Sequence, residues 1–231
     1  MRINKYIAKS GYTSRRKADD LIKAGKVKVN GKVLKEMGYD VNPDDEVSIG
    51  GGILNIEEYF YIKLYKPVGY ITSNFDPYND KDLNDLVDID QRFFAAGRLD
   101  KDSEGLLILT NDGDFSQNLT HPSHEISKEY IVRVDRDLSA SDLDKFTKKL
   151  DIGRGEITSG ADIKKISKAT YKVTISQGYN RQIRRMFGIL GYEVLSLKRI
   201  RIGEVLLGNL KPYQNQNFNN KELDFVKGLK S

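Results

Sequence analysis

Apolar residues recur along the first fifty positions with two different periods. Ile3, Tyr6 and Ile7 have helical spacing, and Ser14 is placed to cap a second helix that turns Ala18, Leu21 and Ile22 inward. Asp19 and Asp20 are expected early in that helix, where its N-terminal partial charge favours acids, and its end is expected near Gly25. The period then changes to two. Val27 and Val29 alternate with Lys26 and Lys28, Asn30-Gly31 makes a two-residue hairpin turn, and Lys32-Val33-Leu34 begins the return strand. Asn42-Pro43-Asp44-Asp45 is a turn ahead of Glu46-Val47-Ser48-Ile49. Residues 1–50 therefore read as a small module of two helices and a few short strands. Gly50-Gly51-Gly52 marks its boundary, 51–58 reads as a linker, and 59–231 as a larger domain.

In the larger domain, strands are expected over 59–65, 105–110, 130–134, 170–175 and 194–202, and helices over 139–150 and 181–190. Several strands follow one another without strict β-α-β alternation. That pattern predicts an α+β fold with a mainly antiparallel mixed sheet and flanking helices. Gln214-Asn215-Gln216-Asn217 reads as a loose polar tail.

Composition narrows the chemistry. The chain has 231 residues, 39% hydrophobic and 31% charged, which is enough apolar material for a sizeable core. It has no cysteine and two histidines, His121 and His124. Thiolate metal sites, thiol nucleophiles and disulfides are excluded, and a histidine-rich metal site is not expected. No stretch approaches the ~20 apolar residues that span a bilayer. No membrane, a cytoplasmic location, no metal and no cofactor are the expectations.

The net charge of +5 matters less than its distribution. Residues 1–35 hold eleven Lys/Arg against two Asp/Glu, residues 51–150 hold twelve bases and nineteen acids, and residues 164–201 hold ten bases and one acid. Two basic blocks flank an acidic middle, a pattern that suits contact with a phosphate backbone. In the N-terminal module Arg2, Lys5 and Lys9 repeat along one helix face. Arg15, Arg16 and Lys17 open the second helix, and Lys26 and Lys28 leave the hairpin on one side.

Three segments of the larger domain carry candidate chemistry. Gly97-Arg98-Leu99-Asp100-Lys101-Asp102-Ser103-Glu104-Gly105 is a polar loop before a buried-looking strand. Taken alone, Asp100 reads as a turn former, and with Asp102, Glu104, Asp112 and Asp114 it also suggests a metal-binding carboxylate cluster. Lys128-Glu129-Tyr130 starts a strand, and Tyr130 is either a core tyrosine or a platform for a base. Asn180-Arg181-Gln182-Ile183-Arg184-Arg185-Met186 opens a helix with three arginines. Cations there oppose the helix dipole unless a phosphate or a carboxylate joins them.

The stretch from Arg2 through Ser14-Arg15-Arg16-Lys17 to Gly25-Lys26-Val27-Lys28-Val29-Asn30-Gly31 resembles the small αL RNA-binding domain of a small-subunit ribosomal protein and of bacterial tyrosyl-tRNA synthetases. Lys66-Pro67-Val68-Gly69, the Gly97–Gly113 loop, Lys128-Glu129-Tyr130, the Asn180–Met186 segment and Arg201-Ile202-Gly203 together resemble the RsuA/RluB/RluE/RluF family of bacterial ribosomal RNA pseudouridine synthases. The resemblance implies isomerisation of one uridine without a redox cofactor: the N1–C1′ bond breaks, the base turns, and C5 joins C1′. It implies Asp100 as the essential aspartate, Tyr130 packing on the uracil and Arg184 pairing with Asp100. It further implies RNA contacts from Arg2, Lys5, Arg15, Arg16, Lys17, Lys26, Lys28, Arg98, Asn180, Arg181 and Arg185, and an apolar active-site residue within 197–202. The expected partner is ribosomal RNA, as a stem-loop or an assembly intermediate, with large-subunit RNA favoured and the protein monomeric. Two other readings remain open: a metal-dependent phosphodiesterase built on the acidic loop, and a non-catalytic RNA-binding ribosome-assembly protein.

Overall fold

The computed structural model describes residues 1–74, 76, 78 and 81–230. The chain divides into two compact units. The first is Met1–Phe60 together with Ile89–Phe93, and the second comprises the remaining residues.

The first unit contains α1 (Ile3–Lys9), α2 (Arg15–Lys23), β1 (Val27–Val29), β2 (Lys32–Val33), β3 (Val47–Ile49) and β4 (Gly52–Ile53). The Ser14 side chain accepts from the Lys17 amide at 3.3 Å and starts α2. Gly25 ends the turn that follows at a φ of +65°. Asn30 and Gly31 both take positive φ, as a tight two-residue hairpin requires. The strands form one antiparallel sheet in the order β2-β1-β3-β4. Ile3, Ile7, Ala18, Ile22, Val27 and Val47 are fully buried between the helices and this sheet. Two expectations need correction. Asp19 and Asp20 lie mid-helix, because α2 begins at Arg15, and Asp19 there accepts from Asn4 Nδ2 of α1 at 2.9 Å. Residues 51–58 are not simply a linker. Gly52–Ile53 pairs with β3 and Leu54 is buried in the small core, since β3 would otherwise leave a backbone edge unpaired.

The second unit is built on a nine-stranded sheet. Its strands are β5 (Tyr61–Lys66), β6 (Phe94–Ala95), β7 (Glu104–Thr110), β8 (Lys128–Val134), β9 (Asp162–Ser167), β10 (Thr170–Ile175), β11 (Val194–Ile202), β12 (Val205–Leu206) and β13 (Asn215–Asn217). The order is β13-β5-β7-β11-β8-β10-β9, with β6 added to β7 and β12 to β11. Only the β7–β11 pair is parallel among the described strands, so the sheet is mixed and mainly antiparallel, as expected. β7 is central. Leu106 to Leu109 are all fully buried, which explains a continuous apolar run without alternation. The helices are α3 (Gly113–Thr120), α4 (Ala140–Phe146), α5 (Gln182–Ile189) and α6 (Asn220–Lys230). Phe115 and Leu119 of α3, Val226 of α6, and Leu106, Ile108 and Ile202 of the sheet share one core. Phe146 of α4 meets Phe187 of α5 with ring centroids 4.6 Å apart, and Phe187 lies 6.5 Å from Tyr171 of β10.

Two elements differ from expectation. α4 stops at Phe146, because the following chain leaves the helix to bridge Asp151 with Ile157. The segment read as a loose polar tail is β13, antiparallel to β5 at the sheet edge. Its three exposed residues carry no burial period, so the pattern could not reveal it. Just beyond it, Asn219 and Glu222 bond each other's backbone amides at the start of α6. A buried Lys63–Glu222 ion pair of 2.8 Å ties that helix to β5.

Candidate active site

The loop from Arg98 to Ser103 is held by its backbone. Arg98 O accepts from Arg199 Nη1, Leu99 O from Thr72 Oγ1, and Asp100 O from the Ser103 amide. Lys101 O accepts from the Gly69 amide, Asp102 O from Arg184 Nη2, and Ser103 O from Lys66 Nζ. Six consecutive carbonyls thus each have a donor, at 2.7 to 3.1 Å. A loop tied in this way has little freedom left, and the side chain it presents is pre-positioned.

Gly105, the second residue of β7, takes a φ of +103°. A Cβ at position 105 would lie 2.2 Å from the Arg199 carbonyl oxygen, so β11 approaches here more closely than any other residue would allow. The parallel β7–β11 pairing, with Glu104 beside Lys198 and Gly105 beside Arg199, depends on that approach.

Asp100 opens onto a cavity of about 420 Å³, within the range of small-ligand sites. Tyr130, Arg98, Asn180, Arg181, Leu197 and Ile202 share its wall. Tyr130 is 7% exposed and stands on β8, two residues beyond Lys128, which lines the same cavity. The strand period of two puts both on one face. Leu197 and Ile202 are the two apolar residues of the 197–202 stretch that line the cavity.

The arginines do not divide their work as expected. Arg181 Nη1 is 3.7 Å from the Asp100 carboxylate. Arg181 also grips Asp102 with both Nη atoms, at 3.0 and 2.9 Å. That grip, with Arg184's charge added, holds the Asp102 pKa below the usual carboxylate range. Arg184 does not pair with Asp100. It donates to Asp102 O at 2.8 Å and to Val194 O at 3.0 Å, and its Nε lies 3.3 Å from Asp102 Oδ2, an ion pair not aligned as a hydrogen bond. The cause lies at the start of α5: Arg181 sits in the left-handed region at φ +50° as the helix cap, which turns its side chain toward the aspartate loop.

Arg185 is engaged within the protein. It bonds the Ile152 and Gly153 carbonyls and pairs with Glu156. The wider basic block is similarly engaged within the protein: Lys165 pairs with Asp137, and Lys172 and Arg201 with Glu129. Arg98 and Asn180 are exposed at the cavity rim. In the first unit, Arg15, Arg16, Lys17, Lys26 and Lys28 are exposed. Lys5 is half-buried. Arg2 instead bonds Gly38 O and pairs with Asp40, holding the loop before β3.

The acidic residues do not converge. Asp102 goes to Arg181, Glu104 accepts from the Tyr65 hydroxyl at 2.9 Å, and buried Asp112 caps α3. Among the described residues no group of three or more His, Asp or Glu side chains is placed to hold a metal ion. This removes the geometric basis of the phosphodiesterase reading.

Sequence reasoning missed two cations. Lys66 is fully buried and donates to Pro67 O and Ser103 O, each at 2.9 Å, and burial pushes its pKa down to about 8. Arg199 is 3% exposed and shares an inward strand face with Leu197. A cation at an inward strand position was the available signal.

An α+β unit that presents one carboxylate and one tyrosine in a cavity, on the same chain as a small basic helix–sheet module, defines an enzyme with a polyanion-binding module. The chain belongs to the RNA pseudouridylate synthase family: the model of that family matches residues 60–188, and the S4 domain matches residues 1–47. It is 42% identical over 205 residues to a ribosomal large subunit pseudouridine synthase B of Bacillus subtilis, covering 86% of this chain and 84% of that protein. It is 35% identical to an uncharacterized RNA pseudouridine synthase of Aquifex aeolicus, covering 99% and 97% of the two chains. It is 38% identical to the dual-specificity RNA pseudouridine synthase RluF of Escherichia coli, covering 91% of this chain and 72% of the relative. A crystal structure of a pseudouridylate synthase superposes with a TM-score of 0.72 at 29% identity, covering 98% of this chain and 99% of that one. The chain is therefore an RNA pseudouridine synthase with RNA as its substrate. No helix among the described residues is long and apolar enough to cross a membrane.

Proposed function

We propose that this chain isomerises a specific uridine of ribosomal RNA, with large-subunit RNA favoured, and that Asp100 is its essential carboxylate. The resemblance to a large-subunit pseudouridine synthase at 42% identity supports that choice of RNA. One observation carries the role of Asp100: all six carbonyls from Arg98 to Ser103 have donors, while among the described residues the Asp100 carboxylate accepts no hydrogen bond. The loop is fixed and the carboxylate is left for a ligand. Arg181, 3.7 Å away, supplies the neighbouring positive charge. The extruded uracil packs on Tyr130, and leaving its stack costs a few kcal/mol that phosphate contacts from the first unit offset. We assign those contacts to Arg15, Arg16, Lys17, Lys26 and Lys28. The protein acts as a monomer, in the cytoplasm, on a stem-loop or an assembly intermediate.

Chemical mapping of pseudouridine across both ribosomal RNAs, after treatment with purified protein, tests this. One new pseudouridine is expected in large-subunit RNA with wild-type protein. None is expected with Asp100→Asn, whose RNA affinity stays within about 3-fold of wild type while the rate falls by at least ~10⁴-fold. Normal turnover by Asp100→Asn would remove the assignment. A new pseudouridine in small-subunit RNA alone would overturn the choice of RNA.

A further inference from the structure

Arg199 is 3% exposed, yet among the described residues no carboxylate lies within ion-pair distance of it. Nε bonds Leu106 O at 2.8 Å and Nη1 bonds Arg98 O at 3.1 Å, whereas Nη2 is enclosed and has no acceptor. Its charged neighbours, Lys66 and Lys128, have the same sign. The cavity wall therefore carries a guanidinium with a spare donor. Enclosed donors without partners are rare in folded proteins and call for an explanation.

The position of Arg199 offers one. It lies directly opposite Tyr130 in the β11–β8 pairing, so both side chains leave the same face of the sheet. On its other side stands Gly105, which has no side chain to intervene. Arg199 and Tyr130 both line the cavity that holds Asp100. A base lying on Tyr130 therefore has the Arg199 guanidinium beside it.

The reaction creates a charge at that place. When the C1′–N1 bond breaks, its electron pair stays with the uracil, and the negative charge spreads over N1, O2 and O4. The electron-deficient sugar is met by the Asp100 carboxylate. C5 then bonds to C1′, the proton on C5 is lost, and N1 takes up a proton, so the base is neutral again. We infer that Arg199 is a further catalytic residue, its guanidinium donating to a uracil oxygen and stabilising the base while it is an anion. This inference rests on reading the cavity as a uridine site. A donor aimed at charge that exists only during the reaction accelerates it without tightening substrate binding.

The test uses the full-length protein and ribosomal RNA transcribed in vitro with either uridine or 5-fluorouridine. Fluorine makes the departing base a weaker base that needs less outside help. Loss of the N1–C1′ bond is followed in a single turnover by nuclease digestion and chromatography. Arg199→Lys should slow loss from uridine RNA by about 10²–10³-fold. From fluorinated RNA it should slow loss by less than ~10-fold, with RNA affinity within ~3-fold. Equal losses on both RNAs would overturn the inference, because a merely structural residue does not sense the leaving group. Should the lysine variant melt below the assay temperature, the wild-type protein decides. The Arg199 Nη protons, followed by NMR with labelled arginine, should move downfield on binding a fluorinated transcript, and an unmoved signal would overturn the inference. A wild-type protein that converts neither RNA would instead overturn the isomerase reading.

Discussion

Arg15, Arg16 and Lys17 open α2, and Arg181, Arg184 and Arg185 cluster at the start of α5. Along the chain the two clusters look alike, three cations at a helix N-terminus where the dipole disfavours them. In the structure they differ. The first three are exposed and have no acidic partner among the described residues. The second three are all ion-paired, with Asp102 shared by Arg181 and Arg184 and Glu156 taken by Arg185. Identical local charge therefore serves two ends, because only the second cluster meets carboxylates brought from 29 to 82 residues away. The free cluster is suited to a phosphate backbone, and in the spent one Arg181 and Arg184 hold the aspartate loop.

Substitutions can break this contrast. The largest effect is expected at Arg181→Ala, which removes the grip on Asp102 and the charge beside Asp100. Single-turnover modification should slow by about 10²–10³-fold with RNA affinity changed less than ~3-fold, and a loss of affinity without a loss of rate would make the two clusters equivalent. Next comes the combined Arg15→Ala, Arg16→Ala and Lys17→Ala change. It should weaken binding by about 10–100-fold and flatten the salt dependence by about 2–3 in log–log slope. That affinity loss should exceed any loss of rate at saturating RNA, and an unchanged salt slope would refute a phosphate role. Arg185→Met should cost about 1–3 kcal/mol in denaturant unfolding, since the Ile152 and Gly153 carbonyls lose their donor. The same variant should leave the salt slope alone, and a reduced slope would return Arg185 to the RNA surface.

The smallest effect concerns Lys66, with a pKa of about 8 in the folded protein against 10.5 in a free chain. Below pH 8 both states carry the proton, and this group adds no slope. Between 8 and 10.5 the unfolded chain still holds a proton that the folded chain has lost. Stability should therefore rise with pH in that window, by at most about 1.4 kcal/mol per unit. Lys66→Met should abolish that component of the slope. Identical pH dependence in the two proteins would show that Lys66 keeps its ordinary pKa.

Much of the fold was legible where burial imposes a period. The valines around the Asn30-Gly31 turn, the run before Thr110 and the strand at 170–175 all lie where the pattern put them. β13 was illegible because an edge strand with both faces exposed has no period to read. α3 was missed although Asp112 caps it, because the acids there suggested a metal cluster. The site divides the same way. The aspartate loop could be located from its glycines, but which arginine faces Asp100 depends on the left-handed turn at Arg181, which the residue type does not announce. Arg185 looked like an RNA contact because its acceptors are backbone carbonyls at 152 and 153, and backbone carbonyls carry no sequence signature.

The bond from Arg199 to the Leu106 carbonyl joins residues 93 positions apart along the chain. Contacts of such span form late, since the entropy of a long loop must be overcome first. While a ribosome is still synthesising this protein, the aspartate loop emerges well before the strand that braces it. A nascent chain interrupted before β11 carries the carboxylate without its support, so the loop gains its Arg199 brace only after β11 has been made.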